Sequence, residues 1–179
     1  RKGACVSFRW NLKKALQAAG VLLRESRGHR MRYMRLLKLL YIADRVSLQE
    51  TGRPVVGDRV VAMKHGPVLS RVYDCIKGEY PDQLVWDRFF EIVDSFDIHL
   101  KRAPGVEELC RYEIDVLKRV AADRVLKDDW EIVEETHGFE EWSDPGYTSM
   151  PISYQAILRA LGREGQSDRL LREARADEA

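Results

Sequence analysis

The stretch MRLLKLLYIADRVSLQETGRPVVGDRVVAMKHGPVLSRVY, residues 34–73, decides how this chain folds. Its first half has the period of a helix. Plotted at about 100° per residue, Arg35, Lys38, Arg45 and Gln49 share one narrow polar stripe, and Leu36, Leu37, Leu39, Leu40, Tyr41, Ala43, Val46 and Leu48 fill most of the remaining circumference. A helix that apolar must be covered on most sides, so the other elements are arranged around it. After the turn at Gly52-Arg53-Pro54, the β-branched residues Val55, Val56, Val60 and Val61 predict one strand or two joined at Gly57-Asp58. Gly66-Pro67 then predicts the start of a third helix, with proline preorganised for its first position and Leu69, Val72, Tyr73 and Ile76 on its inner face.

Asp44 breaks the pattern of the central helix. It lies opposite the polar stripe, at helical spacing from Leu37, Leu40, Tyr41 and Leu48, so its carboxylate points into the core. A buried charge is costly unless it is paired and hydrogen-bonded. The expected partners are Arg59, Lys64 or His65, on the strand and turn that pack back over the helix. Asp44 is thus read first as a strut between helix and turn, and second as a catalytic candidate.

Lys38-Leu-Leu-Tyr41-Ile-Ala-Asp44, then Gly52-Arg-Pro-Val with Asp58, then Ala62-Met-Lys64-His65-Gly66-Pro67-Val68, then Val72-Tyr73-Asp74 resemble the Panacea domain of the SocA-like antitoxins, often described as phage-associated proteins. Thr136-His137 followed by Trp142 is a weaker echo of the same family. The resemblance spans roughly Met34 to Trp142. It implies a non-enzymatic module that binds and neutralises a cognate protein toxin encoded nearby, and it marks Lys38, Tyr41, Asp44, Asp58, Lys64, His65, Gly66, Pro67, Tyr73, Thr136, His137 and Trp142 as motif positions with structural roles.

The rest of the chain sets the bounds. Its 179 residues suffice for one domain that buries about 70% of its unfolded surface. The expectation is a single Panacea-like globular domain over residues 1–162 and a polar helix or tail over 163–179. Cys5, Cys75 and Cys110 are widely spaced with no CxxC, which argues against a disulfide framework or zinc finger and for a reducing cytoplasm. No apolar run approaches the ~18 residues of a membrane span, so none is expected, and no signal peptide is expected within the opening Arg-Lys-Gly-Ala-Cys-Val, although a trimmed leader stays open because the sequence starts without Met. Thirty basic against 29 acidic side chains remove the general electrostatic case for a nucleic-acid binder. The charges are nonetheless segregated. Arg24, Arg27, Arg30, Arg32, Arg35 and Lys38 crowd one segment, whereas residues 128–144 carry eight carboxylates and no Lys or Arg.

Helix one is expected to start at a Ser7 cap and stop at Ser26-Arg27-Gly28. Arg30 and Arg32 do not suit the start of the next helix and so require acidic partners. Trp86 to Val93 and Phe96 to Lys101 read as a hairpin turning at Asp94-Ser95, with His99 on the wet face. Val106 to Arg124 and Asp128 to Thr136 read as helices, and Ser153 caps a last one over Tyr154 to Leu161. The fold class is α+β, mostly α: about six helices around a buried central helix, with a small antiparallel sheet.

Three functions compete. Asp44 and His65 could form a general base beside a helix N-terminus, as in a small hydrolase or transferase; the plainer account has His65 anchoring its turn, since no nucleophile motif accompanies it. His137 is read as bonding the last carbonyls of its helix, because no second ligand stands at metal-binding spacing. No metal or cofactor is expected. The basic segment admits a DNA-binding autoregulator, although Tyr33 is its one interleaved aromatic. A toxin-binding surface is expected either on the acidic face around Glu134, Glu135, Phe139 and Trp142 or on the basic hinge around Arg30 and Arg32. Oligomeric state is left open, a homo-oligomer included.

Overall fold

The computed structural model describes residues 6–177, so Cys5 lies outside them. Its spine is helix α2, Tyr33–Thr51, which at ~1.5 Å per residue is nearly 30 Å long. Leu36, Leu39, Leu40, Tyr41, Ile42 and Leu48 of α2 are at most 2% exposed, and each full burial contributes about 1.5–3 kcal/mol. Against one side pack α1 (Leu12–Arg24) and α5 (Arg111–Asp123), and against another α6 (Asp129–His137). The shorter helices are α3 (Ser70–Lys77), α4 (Gln83–Asp87) and α7 (Tyr154–Ala160), with α8 (Glu164–Asp177) last in the chain. Leu170 of α8 is buried in the common core, so this polar helix is docked.

Two small antiparallel sheets, rather than one, flank the helices. The first has the order β1 (Arg30–Arg32), β5 (Asp97–Leu100), β4 (Phe90–Val93), with Met31 opposite Ile98 and Ile92 opposite Ile98 on its other side. Asp94 and Ser95 both take positive φ, the two-residue turn whose twist matches a tight hairpin. In the second, β2 (Val60–Met63) lies between β3 (Gly66–Leu69) and β6 (Met150–Ile152).

Several boundaries differ from the sequence reading. Asn11 rather than Ser7 caps α1, accepting a hydrogen bond from the Lys14 amide. Gly66-Pro67 opens strand β3, and the helix waits until Ser70, because the proline carries its carbonyl into a contact with α2 instead of starting a turn. The region before β4 is helical over Gln83–Asp87, which lets Trp86 pack against Phe90 with centroids 4.4 Å apart and rings tilted by 39° inside the core. Helix α5 begins after Cys110, whose side chain takes part in a capping box with Glu113. Strand β6 went unforeseen, being only three residues long with a central proline. Arg30 does find acidic partners, Asp94 and Asp97 at 2.9 and 2.8 Å, and Arg32 lies 3.7 Å from Asp129. His99 faces Glu91 across the half-wet side of the first sheet.

Candidate functional site

Polar side chains recur along α2 at every third residue: Lys38, Tyr41, Asp44 and Ser47. A three-residue step turns by about 300°, so each member is rotated about 60° from the one before and meets a different neighbour. Lys38 Nζ donates to the Pro67 carbonyl at 2.8 Å. The Tyr41 hydroxyl donates to Glu141 at 2.6 Å, and Arg45 donates to the same carboxylate at 2.7 Å. The Asp44 oxygens accept from the Val56 and Gly57 amides at 2.8 and 3.0 Å. Ser47 Oγ donates to the Arg53 carbonyl at 2.6 Å. One helix thereby fastens the loop after it, the β2–β3 hairpin and the segment after α6.

Two expectations for α2 need correcting. Lys38 is 1% exposed, not part of a solvated stripe, since β3 and α6 close over it. No carboxylate lies in ion-pair distance of Lys38 among the described residues, and burial pulls its pKa down to about 7. Asp44 is buried, as read, but its partners are backbone amides instead of Arg59, Lys64 or His65. Those amides come from the turn at 55–57, which reaches the carboxylate before the strand cations can. Burial outweighs these hydrogen bonds and raises the Asp44 pKa to about 7.

Asp58 is a second buried carboxylate with a capping role. It accepts from the Arg59 amide at 2.7 Å and from the Arg71 and Val72 amides at 2.8 and 3.0 Å, the latter two in the first turn of α3. Those amides have no partner within their own helix, so Asp58 supplies from a distance what an N-cap side chain supplies locally. Desolvation raises its pKa despite these bonds. The Tyr154 hydroxyl donates to the Asp58 carbonyl at 2.6 Å and joins α7 to the same corner.

The β2–β3 hairpin tip is clamped from both ends. Lys38 holds Pro67, and Trp142 Nε1 donates to the Met63 carbonyl at 2.9 Å. Gly66 lies between them at φ 107°, where a Cβ would come within 2.5 Å of Thr136 Oγ1 and 3.2 Å of Lys38 Nζ. Only glycine fits there. His137 stacks on Trp142 with centroids 4.2 Å apart instead of bonding the last carbonyls of α6. His65, in the turn, is exposed and meets the edge of Trp130 at 5.4 Å. No hydrogen bond or ion pair joins it to Asp44, so the structure does not bring that candidate acid–base pair together. Lys64 extends over Tyr147 at 5.1 Å, and Tyr73 stacks on Tyr33 at 6.4 Å.

Most of the acidic stretch is engaged internally. Glu135 pairs with Arg124 at 2.7 Å, Asp129 with Arg35 at 3.2 Å, and Glu141 has no exposed side-chain surface. Phe139 lies under the Arg45 guanidinium at 4.0 Å, while the Glu134 side chain is 75% exposed. Beside the hairpin tip the surface is of a different kind. A cavity of about 300 Å³ opens between the first turns of α2 and the tip, walled by Tyr33, Met34, Leu37, Met63, Val68 and Tyr73. Phe96, Trp130 and Tyr147 stand exposed at 55%, 58% and 98%. Among the described residues no group of His, Cys, Asp and Glu could hold a metal ion, and no helix is long and apolar enough to cross a membrane.

The inward polar groups of the α2 spine fasten the neighbouring loops, and an exposed surface of aromatic and basic residues lies beside them. Residues 36–143, more than half of the chain, match the family described as "Antitoxin SocA-like, Panacea domain", and the protein belongs to that family. No curated protein and no solved structure gives a significant match.

Proposed function

We propose that this protein is an antitoxin that neutralises a protein toxin by binding it directly in the cytoplasm, the toxin being encoded by a neighbouring gene. The observation that carries this reading is the family match over residues 36–143. The geometry supports it. Lys38, Tyr41, Asp44, Asp58, Gly66, Thr136 and Trp142 make packing and hydrogen-bonding contacts that hold one hairpin and its flanking loops. These motif residues build a stable shape, and a shape is what a stoichiometric inhibitor must present.

Of the two surfaces open to a toxin, the basic hinge is favoured, extended from Arg32 to Lys64 and the hairpin tip. Aromatic residues and arginine are enriched at binding hot spots, and this side exposes Phe96 beneath Arg32 together with Trp130 and Tyr147. Glu135 and Glu141 on the acidic side are held in internal ion pairs. Expression of the neighbouring gene alone and together with this chain is the test. Growth arrest that is relieved by co-expression, with the two proteins co-purifying, is the expected result. A harmless neighbour, or a toxic one neither rescued nor co-purified, overturns the antitoxin reading.

A further inference from the structure

The cavity beside the hairpin tip has walls and a rim of opposite character. Its walls are the apolar faces of Met34, Leu37, Met63 and Val68 with the rings of Tyr33 and Tyr73, and among the described residues no carboxylate lines it. Lys38 lies among the lining residues, with Pro67 O as its one hydrogen-bond acceptor among the described residues. At the rim, Arg32 and Lys64 are exposed, and Lys64 has no ion-pair partner among the described residues. Among the described residues Arg32 has Asp129 as its one ion-pair partner, at 3.7 Å, and lies 5.8 Å over the Phe96 ring. A cavity of about 300 Å³ is at the small end of the ~300–1,000 Å³ typical of small-molecule sites. The apolar surface does not stop at its mouth but continues onto Phe96 and Trp130, which a small ligand would leave uncovered.

We propose that this cavity is the anchor pocket for the partner protein, taking one aromatic or branched aliphatic side chain from a segment that carries carboxylates beside it. The inference rests on the antitoxin reading, and it specifies the chemistry of the toxin segment that docks. Burying one large apolar side chain in a mostly apolar pocket supplies the affinity, and the cations around the mouth select the acidic segment and speed encounter. A nucleic acid would also meet the rim cations, but a pocket of this size walled mainly by methionine, leucine, valine and two tyrosine rings matches an apolar side chain better than a polar base edge.

The chain carries its own reporters. Of its four methionines, Met34 and Met63 line the cavity, whereas Met31 and Met150 do not. With methyl-labelled methionine, the full chain is titrated with acetyl-Asp-Glu-Leu-Phe-Glu-Asp-amide and followed by NMR. The Met34 and Met63 resonances shift saturably at about millimolar peptide or below, an affinity of roughly 4 kcal/mol or more, and Met31 and Met150 stay in place. A charge-matched peptide with Ser-Asn in place of Leu-Phe, a Lys-flanked Leu-Phe peptide and oligothymidylate each bind at least tenfold more weakly.

Lys64→Glu weakens binding about fivefold or more, and Met34→Trp, which fills the cavity, abolishes it. Arg119→Glu, on α5 beside Glu50 of the last turn of α2 and away from the cavity, changes it less than twofold. Should the tryptophan variant not fold, the exposed Lys64→Glu decides alone. Absence of a saturable shift, equal shifts at all four methionines, or equal binding of any comparison probe overturns the proposal. Toxin rescue by co-expression is read separately. Rescue that survives Lys64→Glu and Met34→Trp sinks the pocket while leaving the antitoxin function standing.

Discussion

Lys38→Met tests the buried lysine most directly. Burial, with Pro67 O as acceptor and no anion nearby, lowers the Lys38 pKa from 10.5 to about 7. The unfolded chain holds this proton up to about pH 10.5, whereas the folded protein releases it near pH 7. Between those values the unfolded state binds more protons, so stability rises with pH. Below pH 7 both states are protonated and the lysine is at its least favourable. The limiting slope is about 1.4 kcal/mol per pH unit. Because the folded group is only half titrated at pH 7, the gain from pH 7 to pH 9 is about 2 kcal/mol. Methionine fills similar space without a proton, and it leaves Pro67 O short of a donor at a cost of about 1 kcal/mol that does not vary with pH.

Urea unfolding of parent and variant at pH 7, 8 and 9 measures the effect. The difference between them should move in the parent's favour by about 2 kcal/mol across that range. Subtraction cancels other titrations, including that of Cys75, whose thiol burial pushes up to about 12. The charged neighbours do not upset the expectation, since Arg35 on the same helix is balanced by Asp129 and no carboxylate faces the Lys38 nitrogen. A difference that is constant with pH refutes the reasoning, for it would mean that folded Lys38 keeps its proton.

Asp44→Ala strands the Val56 and Gly57 amides and should lower stability by about 2–5 kcal/mol; melting within a degree or so of the parent would rule out the strut. Since the folded Asp44 pKa is raised from 3.8 to about 7, its favourable contribution is present at low pH and is lost as pH rises through 7, so the variant should be worse at pH 5 than at pH 8 by about 2 kcal/mol in denaturant titrations. Gly66→Ala should cost about 2 kcal/mol or more, combining positive-φ strain with the clash at Thr136; adding Thr136→Ala should recover part of the loss, and full recovery would show that φ carries no strain. Glu141→Gln should cost about 3 kcal/mol in thermal or urea unfolding by leaving Arg45 and the Tyr41 hydroxyl poorly matched, whereas a loss below 0.5 kcal/mol, roughly the scale of an exposed pair, would place that carboxylate in water.

The fold was legible where periodicity carried the information. The apolar circumference of α2, the alternation of Ile98 and Leu100 with Asp97 and His99, and the Asp128 cap of α6 each encode their structure locally. The misreadings fall where a distant contact overrides a local rule. Pro67 has a good helix-start signal, yet its strand pairs with β2 and its carbonyl meets Lys38 from a different part of the chain. Met150–Ile152 has too few residues to show a period, and it becomes a strand because Val60 and Ala62 offer it an edge.

The site was legible as a set of residues but not as an arrangement. Lys38 reads as solvated because Arg35 and Arg45 share its stripe, yet those two are themselves only 17% and 20% exposed and are paired with Asp129 and Glu141. A local signal did exist. Lys38 is flanked by leucines on both sides, and its i±3 and i±4 neighbours on the helix are Arg35, Tyr41, Met34 and Ile42, none of them acidic. A lysine without a partner on its own helix, embedded in leucine, must look off the helix for an acceptor, and what it finds is a backbone carbonyl that no sequence pattern advertises. Asp44 follows the same rule with amides in place of a carbonyl.

This explains why the motif reads as chemistry and behaves as carpentry. Lys38, Asp44, Asp58 and Glu141 are titratable, but each is engaged by a backbone or internal partner that fixes the hairpin and its flanking loops. What those contacts leave exposed at the hairpin tip is Lys64 and His65, which meet only surface aromatic rings among the described residues and stand beside a mostly apolar cavity. A tip held from below by Lys38, Thr136 and Trp142 does not have to be ordered again when a partner arrives, and that saved entropy is one of the main determinants of affinity for an interface of given size.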